Sequence, residues 1–408
     1  MNILIFGRDP TLFESGSQVT QDTRKRHQLY AKVLREHCGV DSTIRVICYT
    51  PVDAKYQVQQ LEDGLTLYPT RSPHRATFLL GAIQLLPQVL RDWRPDLITV
   101  QTPWEEGTLG YWLSRLLGAK FLPQLHVDIF SEGWRQEHWL NGWRRWVASQ
   151  LIRHADGVRV VSEVLKNKVI EHLQTPSNQV FVVPVGVNFS PVNSLSGKDL
   201  YKEKINLRLV GKPVVLFVGR FCDQKNLFLW VEVAQRVIDQ LPDAQFIMAG
   251  NGSLFTKIRS LTEAKRLQDN FYFLGKVGYE KLPDVYAAAD IFLLTSNYEG
   301  YGRVIVESML AEVPVVSTAC TGPEDLIIHG VNGFLLPVKD LCGLSNAVLS
   351  LLTDAQKAQQ MGRAGKIYIQ HNFSTQALID KLIACWALVG KDICRYQRED
   401  AESESAAI

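Results

Sequence analysis

The sequence holds no G-x-x-x-x-G-K-[ST] loop, no G-x-G-x-x-G after its first apolar run, and no G-x-S-x-G, H-E-x-x-H or D-x-D. These absences remove support for P-loop nucleotidases, dinucleotide oxidoreductases, α/β-hydrolases, helical zinc enzymes and sites where paired carboxylates carry a divalent cation. No metal is therefore expected. Charge of one sign is also scarce: 44 basic against 42 acidic residues leave a formal charge of +2, and neither half carries a basic field suited to nucleic acid. Seven cysteines form no C-x-x-C pair, so reduced thiols in a cytoplasmic protein are the expectation. The opening MNILIF lacks the basic flank and cleavage site of a targeting segment and reads as a buried strand. No run of 18 apolar residues is free of charge, so no membrane span is expected.

What is present points to a globular protein of two or three domains: 408 residues, 46% hydrophobic and 21% charged. Short β-branched apolar runs alternate with longer helical patterns. In the first half they are Ile3 to Phe6, Thr43 to Tyr49, Asp96 to Val100, Lys120 to His126, Val158 to Ser162 and Val180 to Val185. Strands apolar on both faces and separated by crossover-length helices predict a parallel sheet covered on both sides. A polar, Gly- and Ser-containing stretch from about 186 to 211 reads as a hinge. The pattern then restarts with Val214 to Gly219, Gln245 to Ala249, Phe271 to Gly275, Ile291 to Thr295, Val313 to Ser317 and Phe334 to Pro337. The spacing of Ala377, Leu378, Leu382, Ile383, Trp386 and Leu388 predicts an amphipathic closing helix. The expected architecture is α/β, with one Rossmann-like domain over 1–190, a second over 191–374, and a return helix over 375–395. Two such sheets facing across a cleft would bind ligand there.

The most informative stretch is SNYEGYGRVIVESML, residues 296–310, which reads as strand end, glycine loop and helix. Gly300 and Gly302 let backbone approach a ligand, and the first-turn amides of Arg303 and Val304 would attract a phosphate or sugar hydroxyl. Glu299 and Glu307 lie eight residues apart, about 12 Å of helical rise, too far for one acid/base dyad. Two separate hydroxyl-binding roles suit them better, beside the plainer reading of a solvated loop acid and a first-turn acid. In FVGRFCDQKNL a strand delivers Arg220 and Lys225 into a loop, where two cations suit a diphosphate; Lys225 is taken as exposed, so its removal should cost turnover rather than folding. His126 ends a buried strand and could donate to a sugar hydroxyl or to charge developing in a transition state, with Asp128 orienting it or starting a turn. Arg24, Lys25, Arg26 and His27 read as a solvated helix start that an anionic acceptor could use. Trp134, Trp139, Trp143 and Trp146, among Arg135, Arg144, Arg145 and Arg153, read as a helix packed on the first sheet. An interfacial membrane helix near 134–153 is the competing reading.

Five segments in order resemble one known family: GRFCDQKN, AGNGSL, FLGKVGYEKLPDVYAAADIFLLTS, EGYGRVIVES with its E-x7-E pattern, and TGPEDLIIHGVNGFLLP. The chain resembles the retaining glycosyltransferases of the GT-B group, family-four type, over nearly its full length. The resemblance implies an acceptor-side first domain and a donor-side second. It implies that Arg220 and Lys225 neutralise a donor diphosphate, that Glu307 holds the ribose, and that Glu299 with the backbone of Gly302, Arg303 and Val304 holds the transferred sugar and phosphate. Val277 would lie near the base, His126 near the donor sugar, and Gly16 in the glycine-rich loop. The chain departs from the family pattern at Ser15-Gly16-Ser17, where a glycine pair is usual, and at Val127 between His126 and Asp128. Implied partners are a UDP- or GDP-sugar and a sugar, glycolipid or other hydroxyl acceptor, with no cofactor and no metal, in the cytoplasm or at the inner face of a membrane. A nucleotide-sugar epimerase, a phosphorylase or a non-catalytic sugar-nucleotide-binding scaffold are the alternatives on such a fold.

Overall fold

The computed structural model describes residues 1–14, 22–187, 189, 198–205 and 209–390, so Gly16 lies outside the described residues. They form two compact units. One comprises Met1–His126, Trp139–Gly186 and the chain from Thr375 onward; the other comprises Val127–His138 and Val187–Ser374.

The first unit is built on an eight-stranded sheet. Its strands are β1 (Asn2–Gly7), β2 (Thr43–Cys48), β3 (Gln59–Gln60), β4 (Leu65–Pro69), β5 (Leu97–Val100), β6 (Lys120–Leu125), β7 (Val158–Val160) and β8 (Val180–Val182). Their order is β3-β4-β2-β1-β5-β6-β7-β8, parallel except for the β3–β4 edge pair. Ile3, Leu4, Ile5 and Phe6 of β1 are all buried, which requires cover on both faces. One face packs Ile5, Val46, Leu67, Leu97 and Leu122 against Tyr30, Val33 and Leu34 of the helix Asp22–Cys38 and Leu382, Ile383 and Trp386 of the helix Thr375–Gly390. By composition the stretch 355–390 holds a window apolar enough to span a membrane. The apolar residues of Thr375–Gly390 lie in this core instead.

The second unit carries a six-stranded, wholly parallel sheet: β9 (Val214–Val218), β10 (Gln245–Ala249), β11 (Phe271–Gly275), β12 (Ile291–Leu294), β13 (Val315–Thr318) and β14 (Gly333–Leu336), in the order β11-β10-β9-β12-β13-β14. Trp230, fully buried, sits edge-on to Phe217, Phe246 and Phe271, and its indole N–H donates to Leu293 O at 3.0 Å. In each sheet the chain starts on an inner strand, builds outward on one side and then resumes on the other. Strand order therefore reverses between β1 and β5 and between β9 and β12, the positions where open sheets bind ligands beyond their carboxyl ends.

The α/β alternation expected from the sequence is present in both units, and three readings need correction. β3 and β4 were not expected; the break between the units after Gly186 falls at the start of the stretch read as a hinge, which also contains a helix, Lys198–Lys204. Of the four tryptophans assigned to packing on the first sheet, only Trp134 is buried; Trp139, Trp143 and Trp146 are 84%, 50% and 61% exposed. Cys48, Cys222, Cys320, Cys342 and Cys385 are free thiols, whereas Cys38 is disulfide-bonded, a pairing that spacing along the chain could not reveal.

Candidate active site

In the second unit the loops that follow β9 and β12 lie at the strand-order reversal and are laced together. Thr295 Oγ1 donates to the carbonyls of Lys225 and Asn226 at 3.0 and 3.1 Å. Asn297 N–H donates to Gln224 O at 2.9 Å, and Asn226 Nδ2 donates to Asn297 Oδ1 at 3.1 Å. Asn226 adopts φ +45°, a left-handed turn that an asparagine tolerates, and its side chain caps the next helix, Leu227–Ile238, at Leu229 N–H.

This lacing carries Lys225 onto the Glu299 carboxylate in a direct ion pair. Both are buried, at 8% and 6% exposure, which corrects the expectation of an exposed lysine. The reason is long-range: the partner acid arrives from a loop 74 residues away. Ser296 Oγ also donates to Glu299 Oε1 at 2.7 Å, and Gln224 Nε2 approaches Oε2 at 3.5 Å. The same Gln224 accepts from Arg220 Nη2 at 3.1 Å, so the exposed guanidinium is tied to the buried pair through one amide. Arg220, Lys225 and Glu299 thus form one network, with Gln224 and Ser296 as members that sequence reading missed. Their places, one residue before Lys225 and three before Glu299, were the available signal.

The glycine positions have steric causes. Gly250 closes β10 so tightly that a Cβ there would lie 1.8 Å from Gly219 O. Gly302, at φ +91°, caps the helix Arg303–Leu310, and the backbone ladder begins with Ile305 N–H donating to Gly302 O at 2.9 Å. The first-turn amides thereby head the helix, where an anion is favoured. Glu307, on the same helix, is 4% exposed and accepts from Tyr286 Oη at 2.9 Å. Burial first, then the Glu307 charge, raises the Tyr286 phenol well above its ordinary range, so it stays a donor. Val277 lies in the loop after β11, part-buried. Asp128 belongs to this unit: its carboxylate accepts from the N–H groups of Phe130 and Ser131 at 2.9 and 3.2 Å and from Thr321 Oγ1 at 2.6 Å. Tyr298 hydroxyl likewise meets the Glu137 carboxylate.

His126 is the last residue of its segment of the first unit. Its Nε2 meets Gln124 Oε1 at 3.0 Å, and that oxygen also accepts from Arg159 Nη1 at 2.8 Å. Because arginine can only donate, the amide oxygen must face both groups, so His126 carries its proton on Nε2 and presents Nδ1 as an acceptor. Burial, then Arg159 and Arg26, push the imidazole pKa down to about 3. His126 is therefore neutral, and its remaining nitrogen can accept from a hydroxyl rather than donate as expected. Gln124 Nε2 is anchored on Thr99 Oγ1 at 2.8 Å, which itself donates to Leu122 O at 2.7 Å. Among the described residues no group of three or more His, Cys, Asp or Glu side chains is placed to hold a metal ion.

Two Rossmann-like units of this kind, with cationic and carboxylate side chains at a strand-order reversal, define the GT-B class. Residues 201–368 match the family described as Glycosyl transferases group 1, and residues 29–186 match the Glycosyl transferase 4-like domain. The chain belongs to the family-four type of GT-B glycosyltransferase. It is 28% identical over 315 residues to a 2-deoxystreptamine N-acetyl-D-glucosaminyltransferase of Streptomyces fradiae, covering 72% of this chain and 74% of that protein. The protein of that name from Niallia circulans is 30% identical over 158 residues, only 39% of this chain and 41% of its own length. Among solved structures, sucrose-phosphate synthase of Thermosynechococcus elongatus superposes with TM-score 0.78 at 20% identity, over 95% of this chain and 98% of that one. HepE of Anabaena in complex with UDP and glucose does so with TM-score 0.72 at 20% identity, over 95% and 99%.

Proposed function

We propose that this glycosyltransferase moves a sugar from a nucleotide-sugar donor to an acceptor hydroxyl with retention of configuration and without a resident metal. The observation that carries the reading is the joined network of Arg220, Gln224, Lys225 and Glu299 at the reversal between β9 and β12. The barrier to glycosyl transfer is charge separation. As the glycosidic oxygen departs, the diphosphate gains negative charge while the sugar becomes oxocarbenium-like. Arg220 and Lys225 would take up that charge in place of a divalent cation, helped by the first-turn amides of the helix Arg303–Leu310. Glu307, held by Tyr286, would accept from the ribose hydroxyls, with Val277 near the base.

Glu299 is engaged by Lys225 and Ser296, which suits a carboxylate that orients the sugar and opposes its use as a nucleophile. Retention would then follow a same-face substitution. The acceptor hydroxyl forms its bond to the anomeric carbon as the bond to the diphosphate oxygen breaks, and that departing oxygen takes the acceptor's proton. Trapping a covalent glycosyl-enzyme at Glu299 would overturn this step. UDP in the HepE complex supports a nucleotide donor for this chain as well.

Membrane contact belongs to the same proposal. Trp112 and Leu116 on one helix, Glu105–Leu117, are 68% and 81% exposed, beside the exposed Trp139, Trp143 and Trp146 on and before the helix Asn141–Arg153. Arg144 joins these two helices through Glu105 at 2.7 Å. Exposed indoles among arginines suit an anionic cytoplasmic lipid surface, which would place the enzyme at the inner face of a membrane.

The direct test is thermal stabilisation by UDP, GDP and ADP, with the matching sugar nucleotides, in EDTA and in magnesium. A shift with one base in EDTA, reduced in Glu307→Ala, is expected. No shift with any nucleotide in a folded sample would overturn the donor assignment.

A further inference from the structure

At the carboxyl edge of the first sheet lies a half-open cavity of about 40 Å³, whose lining includes Arg26, Gln101, Gln124, His126, Arg159 and Trp386. About 10–15 Å³ admits one water, so the space takes a small polar group. No carboxylate lines it. Arg159 enters from β7 at 4% exposure and donates to Val183 O at 3.0 Å, Pro184 O at 3.2 Å and Gln124 Oε1 at 2.8 Å. All three acceptors are neutral, and a guanidinium carries five N–H groups, so two donors and the whole charge are left without an anionic partner. Trp386 adds a second, independent sign: it is 1% exposed, lines the cavity, and its indole N–H has no acceptor. A buried charge and a buried donor, each costly without a partner, converge on one small space.

We propose that this cavity is an oxyanion subsite, and that the acceptor of the transfer reaction carries a carboxylate or phosphate that enters it. The assignment to an acceptor rests on the glycosyltransferase reading; the subsite itself does not. Arg159 supplies the charge and forked N–H groups, Trp386 a single fixed donor, and Arg26 a second cation at the rim. The neutral Nδ1 of His126, on the same cavity wall, is left for a hydroxyl rather than for the anion.

The test titrates the full chain, labelled with 15N at tryptophan, with sodium phosphate and with sodium acetate at constant ionic strength. The indole N–H resonance missing from Trp386→Phe should move saturably with one or both anions and stay still with chloride. Movement with phosphate alone assigns a phosphate-bearing acceptor, and movement with acetate alone a carboxylate-bearing one. Arg26→Gln should weaken binding about tenfold, the scale of one charge-assisted hydrogen bond, while Lys25→Gln on the exposed face of the same helix leaves it unchanged. No movement of that resonance with either anion in a folded sample overturns the subsite. UDP, GDP and ADP titrations on the same sample keep the two readings apart. Nucleotide binding without anion binding removes the subsite alone, and anion binding without nucleotide binding removes the donor assignment alone.

Discussion

Replacing Lys225 by alanine deletes the cation facing Glu299 and leaves that carboxylate buried at 6% exposure. Breaking a buried pair by removing one partner typically costs about 3–5 kcal/mol, because an uncompensated charge remains. Ser296 at 2.7 Å and Gln224 at 3.5 Å still donate to Glu299, which places the expected loss near the lower end, about 3 kcal/mol. Denaturant unfolding of Lys225→Ala, Glu299→Gln and Lys225→Met/Glu299→Gln supplies the assay. The double variant carries neither charge and should unfold within about 1–2 kcal/mol of the parent, far better than the sum of the single losses. A loss under about 1 kcal/mol for Lys225→Ala, or additive single losses, would refute the buried pair. Turnover must be compared at equal folded fraction, because the variant lowers both.

Gly250→Ala should destabilise the second unit by about 3 kcal/mol or more, since its Cβ would fall 1.8 Å from Gly219 O; a melting temperature equal to the parent's would contradict that contact. Tyr286→Phe should raise the donor KM with little change in kcat, because it removes one hydrogen bond that orients Glu307; an unaltered KM in steady-state kinetics would make the pair structural. Trp139→Ala, Trp143→Ala and Trp146→Ala, all exposed, should each change stability by no more than about 0.5 kcal/mol yet together abolish flotation with anionic vesicles. Flotation that survives the triple change would remove the membrane assignment. For His126, the pKa of about 3 lies below the ordinary 6.5, so between those values the unfolded chain binds a proton that the folded chain does not. Stability should therefore fall as pH falls through that window, and His126→Gln should flatten the slope in a pH series of unfolding curves.

The strands of both sheets were legible because runs such as VVLFV and QFIMA are buried on both faces and must be apolar throughout. β4, with its alternating LTLYP, and its two-residue polar partner β3 lie at a sheet edge, where that signal fades. The motif residues named the site loops, but no local feature of DQKNL announces that Lys225 is buried. That fact belongs to Glu299, which the fold brings from β12. The tryptophans were countable in sequence while their faces were not, since three of four turn outward. Arg159 escaped notice although a lone charge inside the strand VRV was a signal that reading for site motifs overlooked.

The division of the chain bears on the order in which the protein can mature. Synthesis generally lets an N-terminal domain fold before the rest has emerged. Here the first core includes Leu382, Ile383 and Trp386, so its earlier segments wait for a segment made after the whole of Val187–Ser374. The second unit, whose main segment ends at Ser374, can be complete earlier. At 5–20 residues per second the wait after Gly186 lasts about ten to forty seconds. During it the face of the first sheet meant for Trp386 stays open on the ribosome, a window in which chaperones or the membrane surface could engage the nascent chain.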